Sequence, residues 1–169
     1  AVYDRLKDMN GVNMIADIGN GTMNIMKVID HKVITDSCRT EKLGVEKCVI
    51  EIRNALMNKF HEDVDESIIK KFLMNTEQEL PQDYENVMRY CTEEYCKSIF
   101  NALYKYDYNS RLVKLYVVGG GAVVMDNHNV NPPNATFITD ICANAKGYEF
   151  QAKRNLSKSA NDKDNKSQA

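Results

Sequence analysis

A short glycine-rich stretch follows the first strongly apolar run of the sequence. The run begins at Val12 and ends in Asp17-Ile18, after which Gly19-Asn20-Gly21-Thr22 leads into a second apolar run. This order predicts a strand, a turn and a strand. Glycines let a backbone come close to a ligand, and successive N–H groups in such a turn can bind an anion. The stretch is a candidate phosphate-binding turn, and the alternative is a hairpin in which Asp and Gly only form the turn.

Two side chains at this turn also suit the binding of phosphate and its metal ion. Asp17 stands where the first strand ends, and a carboxylate beside bound phosphates suits a magnesium ion that keeps most of its waters. Thr22 adds a hydroxyl donor at the mouth of the turn. Short motifs often match by accident, so this hexapeptide does not by itself separate the two interpretations.

A second glycine cluster follows the most apolar strand of the sequence. Leu112 to Val118 is nearly continuous in apolar residues, as expected for a strand buried on both faces, and it runs into Gly119-Gly120-Gly121-Ala122. Each glycine loses more conformational entropy on ordering than other residues do. Three in a row therefore predict close approach of the backbone to a flat or charged ligand.

Hydrophobic periodicity predicts the elements between these clusters. Three antiparallel strands open the chain, with a hairpin turn at Asp30-His31-Lys32 before the third. Apolar residues then recur at helical spacing from about Gly44 to Phe60, and again after Asp65 as a possible N-cap. A longer stripe runs from Tyr84 to Tyr106. We expect the 84–106 helix to be central and the region from about 40 to 80 to be a peripheral helical insertion.

The end of the sequence predicts a strand at Ala135 to Ile138 and a last helix from Ile141 to Phe150. The residues beyond Leu156 are polar and charged, which predicts a disordered tail. The domain boundaries that follow are 1–150 for the folded part and 151–169 for the end of the last helix and the tail.

Composition excludes several classes of function. The net charge is -2, from 22 basic and 24 acidic residues that are well mixed, so no electrostatic footprint for direct nucleic-acid binding is present. No apolar run approaches the ~20 residues of a membrane-spanning helix. Five scattered cysteines predict reduced, mostly buried thiols in a cytoplasmic protein. The three histidines are far apart in sequence, which favours turn or surface positions over a metal site or a base.

Several of these stretches resemble the actin-like ATPase superfamily. Asp17 to Thr22 is similar to its second phosphate loop, and Tyr116 to Ala122 is similar to its adenosine loop. Ile141 to Tyr148 resembles the segment that begins the last helix in bacterial plasmid-segregation proteins of the ParM/StbA type, and Thr40 to Val45 resembles the entry to their second-domain insertion. The resemblance covers residues 12 to 150 and is specific only when the motifs are taken together.

The resemblance implies a fold. It is an α/β, RNase H-like half-domain of the actin-like ATPase type, with three antiparallel and then parallel strands in a mixed five-stranded sheet. Helices cover both faces, and a small helical insertion is present. No second Asp-x-Gly loop precedes residue 12, so the chain is expected to correspond to the later half of such a protein.

The resemblance also implies a site and partners. Gly19, Asn20, Gly21 and Thr22 are expected to bind the phosphates of ATP or ADP, and Asp17 to hold Mg²⁺ through water. The adenosine is assigned to Gly119, Gly120, Gly121 and Ala122. Asn20 departs from the glycine, serine or aspartate of many relatives. The whole protein is expected to form a homopolymeric filament that segregates plasmid DNA through a DNA-binding adaptor, without direct nucleic-acid or membrane binding.

Catalysis and two alternatives stay open at this stage. The attacking water in this superfamily is placed largely by residues of the first half, so no catalytic base is named and ATP hydrolysis is expected only with that half. One alternative is a non-catalytic interaction module that keeps the half-fold. Another is half of a different superfamily member, such as a sugar kinase. Nucleotide binding separates the first alternative from the leading hypothesis.

Overall fold

A computed structural model describes residues 2–128, 130, 132–140, 142 and 145–153. The strands are β1 (Val12–Ile18), β2 (Met23–Ile29), β3 (Lys32–Glu41), β4 (Lys114–Val118) and β5 (Ala135–Ile138). The helices are α1 (Val45–Phe60), α2 (Glu66–Leu73), α3 (Gln82–Lys105) and α4 (Gly120–Asn127). A 3-10 helix spans Tyr3–Asp8, and residues 145–153 are helical. Within these described residues, no helix combines the length and apolar character needed to cross a membrane.

The five strands form one mixed sheet in the order β3-β2-β1-β4-β5. The β1–β2 and β2–β3 pairs are antiparallel, whereas β1–β4 and β4–β5 are parallel. This confirms the predicted fold class. Because β1, β3, β4 and β5 all run in the same direction, their carboxyl ends meet at one edge of the sheet, called the carboxyl edge below.

The main core lies between one face of the sheet and helices α1, α3 and α4. Side chains alternate along β1, so that Met14, Ala16 and Ile18 enter this core while Ile15 faces the opposite side. The opposite face holds a smaller cluster that includes Met9, beside the 3-10 helix. Strand β4 contributes to both clusters and is buried from residue 115 to 118, which confirms the prediction of a strand covered on both faces.

Helix α1 is part of this core, contrary to the prediction that residues 40–80 are peripheral. Ile52 and Leu56 of α1 are completely buried, as is Ile69 of α2. Helix α3 is central as predicted, since Ile99 and Leu103 are also completely buried. The error has a physical reason: the apolar stripe of α1 packs against that of α3, so the shorter stripe is as deep as the longer one.

The thiols are less buried than the sequence suggested. Cys48 and Cys96 are buried and Cys91 is half-buried, but Cys38 on the edge strand β3 and Cys142 after β5 are exposed. All five are free. Burial raises the pKa of the Cys48 and Cys96 thiols to about 12, so both stay protonated near neutral pH.

The described residues include only part of the predicted last helix and none of the predicted tail beyond Leu156. Residues 145–153 are helical, which agrees with a last helix in this region and extends it beyond residue 150. Residues 141, 143 and 144 of the ParM-like segment and the predicted tail from 154 to 169 lie outside the described residues.

Candidate functional site

The two glycine turns are neighbours at the carboxyl edge. Asp17 in β1 pairs with Val118 in β4 across the parallel ladder, so the chain leaves both strands at the same level. The turn at 19–22 follows β1 directly and Gly119 follows β4. Ligands of open α/β sheets bind outside the carboxyl ends of the strands, which makes this edge the candidate site.

The first turn is held by backbone hydrogen bonds to helix α1. The Gly19 N–H donates to the Thr22 carbonyl at 2.9 Å and closes the turn. The Val45 N–H then donates to the Gly19 carbonyl at 3.0 Å, and the Glu46 N–H donates to the Asn20 carbonyl at 2.9 Å. Helix α1 has no side-chain cap, so these two carbonyls satisfy N–H groups that its first turn would otherwise leave unpaired.

Gly44 makes this docking possible. A Cβ on Gly44 would lie 2.1 Å from the Asn20 carbonyl oxygen and 2.4 Å from the Gly21 carbonyl carbon, so only glycine fits. Sequence reasoning used Gly44 as a helix boundary and missed this contact. The available signal was a glycine at a helix N-cap, where Ser, Thr, Asp and Asn are the commoner side-chain caps.

The second turn uses two of its glycines to approach β1. Gly119 has φ of 83°, and a Cβ there would lie 2.5 Å from the Ile18 carbonyl oxygen. A Cβ on Gly121 would lie 2.4 Å from Ile18 Cγ2. Gly120 is different, since the nearest neighbour of a Cβ placed there would be Val45 Cγ2, at an ordinary contact distance of 3.6 Å. Chain packing therefore accounts for glycine at positions 119 and 121, and the contact of these residues with a ligand stays a prediction.

A cavity of about 300 Å³ lies between the two turns and the insertion helices. Its lining residues are Gly19, Asn20, Val45, Lys70, Leu73, Met74 and Gly120. The lining is mainly apolar and combines residues of α1 and α2 with residues of both turns. An apolar pocket with a few polar groups is typical of a site for a small molecule or cofactor.

The predicted site residues are distributed unevenly around this cavity. Gly19, Asn20 and Gly120 line it, whereas Gly21 and Thr22 lie on the exposed side of the first turn. The remaining predicted adenosine-loop residues are Gly119 and Gly121, which pack on β1, and Ala122, which is completely buried in the core.

Asp17 is half-buried between the first turn and Gly119, and it is not among the residues that line the cavity. Its Oδ1 lies 3.0 Å from the position of a Cβ on Gly119, which places the carboxylate between the turns. Among the described residues no cluster of three or more His, Cys, Asp or Glu side chains could hold a metal ion. A carboxylate at this position suits a metal bound mainly through water and phosphate oxygens.

Four lining residues were missed because they come from other elements. Val45 begins α1, Lys70 and Leu73 belong to α2, and Met74 is the C-cap of α2. The Lys70 ammonium pairs with Glu66 at 2.5 Å, and both side chains are more than half exposed. Such an exposed pair contributes little to stability, so Lys70 can leave Glu66 for an anionic ligand at small cost.

A larger cavity, of about 430 Å³, lies on another side of α2 and is lined by residues of the 75–80 loop, α3 and the end of α4. His128 lines it, and its ring contacts Phe72 with centroids 5.0 Å apart. The Phe72 carbonyl accepts a hydrogen bond from the imidazole, while Nε2 is buried without a partner among the described residues. Burial lowers the pKa of His128, helped by the nearby Arg89. This cavity includes neither glycine turn, so we place the candidate site in the smaller one.

Comparison with known proteins decides the family. The family described as "Archaeal actin homologue MreB-like, C-terminal" matches residues 15–129, which include both glycine turns and helices α1 to α4. The chain belongs to this MreB-like family. Among curated protein sequences, no relative matches this MreB-like chain.

Solved structures of actin homologues share the fold of this MreB-like chain. Ta0583, an archaeal actin homologue, has a TM-score of 0.69 at 16% identity, covering 90% of this chain and 52% of that one. Its complex with ADP has a TM-score of 0.65 at 16% identity, with coverage of 90% and 55%. Bacillus thuringiensis ParM with ATP has a TM-score of 0.55 at 16% identity, with coverage of 77% and 42%. The MreB-like chain thus spans about half the length of these proteins.

Proposed function

We propose that this MreB-like chain is the nucleotide-binding second half of an actin-like, filament-forming ATPase that acts in the cytoplasm. The observation that carries the proposal is the pairing of Asp17 with Val118, which sets the two glycine turns side by side around an apolar cleft. The structures of Ta0583 with ADP and of Bacillus thuringiensis ParM with ATP support the choice of an adenine nucleotide.

The first turn is assigned to the phosphates. The carbonyls of Gly19 and Asn20 are engaged by α1, and the opposite edges of the same two peptide groups carry the N–H groups of Asn20 and Gly21. Ordered N–H groups in a turn suit an anionic oxygen. The Thr22 hydroxyl is a further donor on the exposed side. Asp17 would hold Mg²⁺ through water, and the metal would neutralise phosphate charge there.

The cleft between Gly120 and α2 is assigned to the adenosine. Leu73 and Met74 offer an apolar wall, and the small backbone of Gly120 leaves the opposite side open for a flat ring. Lys70 stands at the rim of the same cavity, where its ammonium can reach an anionic or hydroxyl group of the ligand. These residues bind and orient the nucleotide. We assign no base for the attacking water among the residues that the structure describes.

The resemblance to ParM/StbA-type proteins supports a role in plasmid segregation, with the whole protein as a homopolymer and a DNA-binding adaptor as its partner. Filament contacts and closure around ATP would then need both halves of the protein. Weak nucleotide binding by the present chain, negligible hydrolysis and no ATP-dependent polymerisation follow, because one wall of a cleft neither excludes water nor aligns it.

Calorimetric titration of this chain tests the proposal. We expect binding of adenosine, somewhat tighter binding of ATP, and a further gain when magnesium is added. Absence of all three signals would reject nucleotide binding and favour the interaction-module alternative. Light scattering with ATP and magnesium tests the filament part: robust nucleotide-dependent assembly by this chain alone would show that one half suffices for polymerisation.

A further inference from the structure

We infer that Gly44 and the first two amides of α1 are positioning elements for the phosphate turn, and that the core residue Tyr95 holds them in place. The inference rests on the proposed function only for what the turn binds. The orientation of the turn itself follows from the geometry of this chain.

Hydrogen bonds from α1 fix the direction of two peptide groups in the turn. The Val45 and Glu46 N–H groups donate to the carbonyls of Gly19 and Asn20, at 3.0 and 2.9 Å. In a planar trans peptide the N–H points opposite to the carbonyl. The N–H groups of Asn20 and Gly21 therefore point away from α1. Helix α1 thus determines which way two candidate phosphate donors face before any ligand arrives.

Gly44 is the residue that lets α1 come close enough. Its Cα–H side is in contact with the peptide between Asn20 and Gly21, where a Cβ would lie 2.1 Å from the Asn20 oxygen and 2.4 Å from the Asn20 carbon. Real Cβ contacts are essentially never shorter than 3.0 Å, and the opposing atoms are backbone, so they cannot rotate away as a side chain would. Any larger residue at 44 must push the turn off the end of α1.

Tyr95 anchors the segment before Gly44 to the core. Its hydroxyl donates to the Leu43 carbonyl at 3.0 Å across 52 positions of sequence, and its side chain is completely buried. Helix α3, which carries Tyr95, packs along α1 and contributes the buried Ile99 and Leu103. The core therefore holds Leu43 and the adjacent Gly44 in place through the Tyr95 hydrogen bond. Gly44 in turn positions the phosphate turn.

This arrangement makes the turn preorganised. A turn that is already ordered loses little conformational entropy when it binds, so more of the interaction free energy remains for affinity. Displacing the turn should accordingly weaken the binding of phosphates more than the binding of adenosine.

The test compares Gly44→Ala and Tyr95→Phe with the control Lys42→Ala, whose exposed side chain lies in the same connection. Amide chemical shifts and hydrogen exchange of Asn20 and Gly21 are measured without ligand. Adenosine, ATP and inorganic triphosphate are then titrated. In Gly44→Ala we expect shifted amides, faster exchange and an ATP affinity about tenfold weaker or worse, with adenosine changed less than about threefold. Tyr95→Phe should move the same amides less, and Lys42→Ala should move neither readout.

Unchanged amides of Asn20 and Gly21 in a folded Gly44→Ala protein would overturn the inference. If Gly44→Ala does not fold, Tyr95→Phe decides: unchanged amides there overturn it as well. The two proposals remain separable. Shifted amides in a chain that binds no nucleotide would uphold the positioning role and reject the proposed function, whereas equal losses for adenosine and ATP would reject the selective effect on phosphates.

Discussion

The backbone of Gly121 packs directly on the side chain of Ile18, so that a Cβ on Gly121 would lie 2.4 Å from Ile18 Cγ2 and 2.5 Å from Ile18 Cβ. Both residues are buried where α4 crosses the end of β1. This contact separates the three consecutive glycines into two roles. Gly121 belongs to the core, whereas its neighbour Gly120 lines the cleft.

Gly121→Ala should destabilise the protein by about 1–3 kcal/mol, because the added methyl overpacks a well-filled part of the core. Gly120→Ala is the matched control. It adds the same methyl one residue earlier, at an ordinary 3.6 Å contact with Val45, and should leave the free energy of unfolding within about 0.5 kcal/mol. Urea denaturation of both variants measures the difference. Equal stabilities for the two variants would contradict the assignment of Gly121 to packing.

Gly120→Val should abolish binding of adenosine and ATP alike while leaving the chain folded. The branched side chain would enter the cavity between the two turns, in the space assigned to the base or ribose. Calorimetric titration with both ligands measures the loss, and circular dichroism checks the fold. Retention of adenosine binding in a folded Gly120→Val protein would place the ring elsewhere.

Asp17→Ala should remove only the magnesium-dependent part of ATP binding and spare adenosine. The carboxylate lies between the turns and near Gly119, where it can hold a hydrated cation beside phosphates. Titrations with adenosine, ATP, and ATP plus magnesium separate these contributions. Equal loss of adenosine binding would mean that the roles given to the two turns are wrong.

Ile52→Ala should cost about 2–5 kcal/mol of unfolding free energy, because it leaves a cavity under α1. The control is Ile50→Ala in the same helix, since Ile50 is 51% exposed while Ile52 is completely buried. The control should cost less than about 1 kcal/mol. Chemical denaturation decides between a core helix and a peripheral one: similar small losses at both positions would restore the sequence-based expectation for residues 40–80.

Stability should fall as the pH drops below about 6.5, in part because of His128. Burial holds the pKa of the folded imidazole below its ordinary value of 6.5, with Arg89 acting in the same direction and Glu93 against it. Between the folded pKa and 6.5 the unfolded chain binds the extra proton and the folded one does not, so acid favours unfolding. Above pH 6.5 both states are neutral and this contribution is complete.

Urea unfolding of the wild type and of His128→Gln between pH 5 and 8 measures this effect. The variant should lose part of the decline in stability below pH 6.5, since glutamine does not titrate in that range. NMR titration of the His128 ring gives the folded pKa directly. A ring that titrates at or above 6.5 would remove the basis of the prediction.

The sequence determined the elements whose signals are local. The bounds of β1 and β2 follow from two apolar runs and the glycine turn between them, and Asp65 caps α2 through the Ser67 N–H as its type and position predicted. The two glycine turns were also identified from sequence, because glycine clusters after apolar strands are rare enough to stand out. These features depend on residues within a few positions of one another.

Only the tertiary structure decided how those elements meet. Burial of α1 depends on the apolar stripe of α3, more than twenty positions away, and the wall of the cleft comes from Leu73 and Met74, which carry no motif. Gly44 is the N-cap of α1, as the sequence predicted, but its contact with the Asn20 backbone is seen only in the tertiary structure. The physical reason is that local sequence specifies backbone conformation and apolar faces, whereas the residue opposite each face is specified by how the chain packs as a whole.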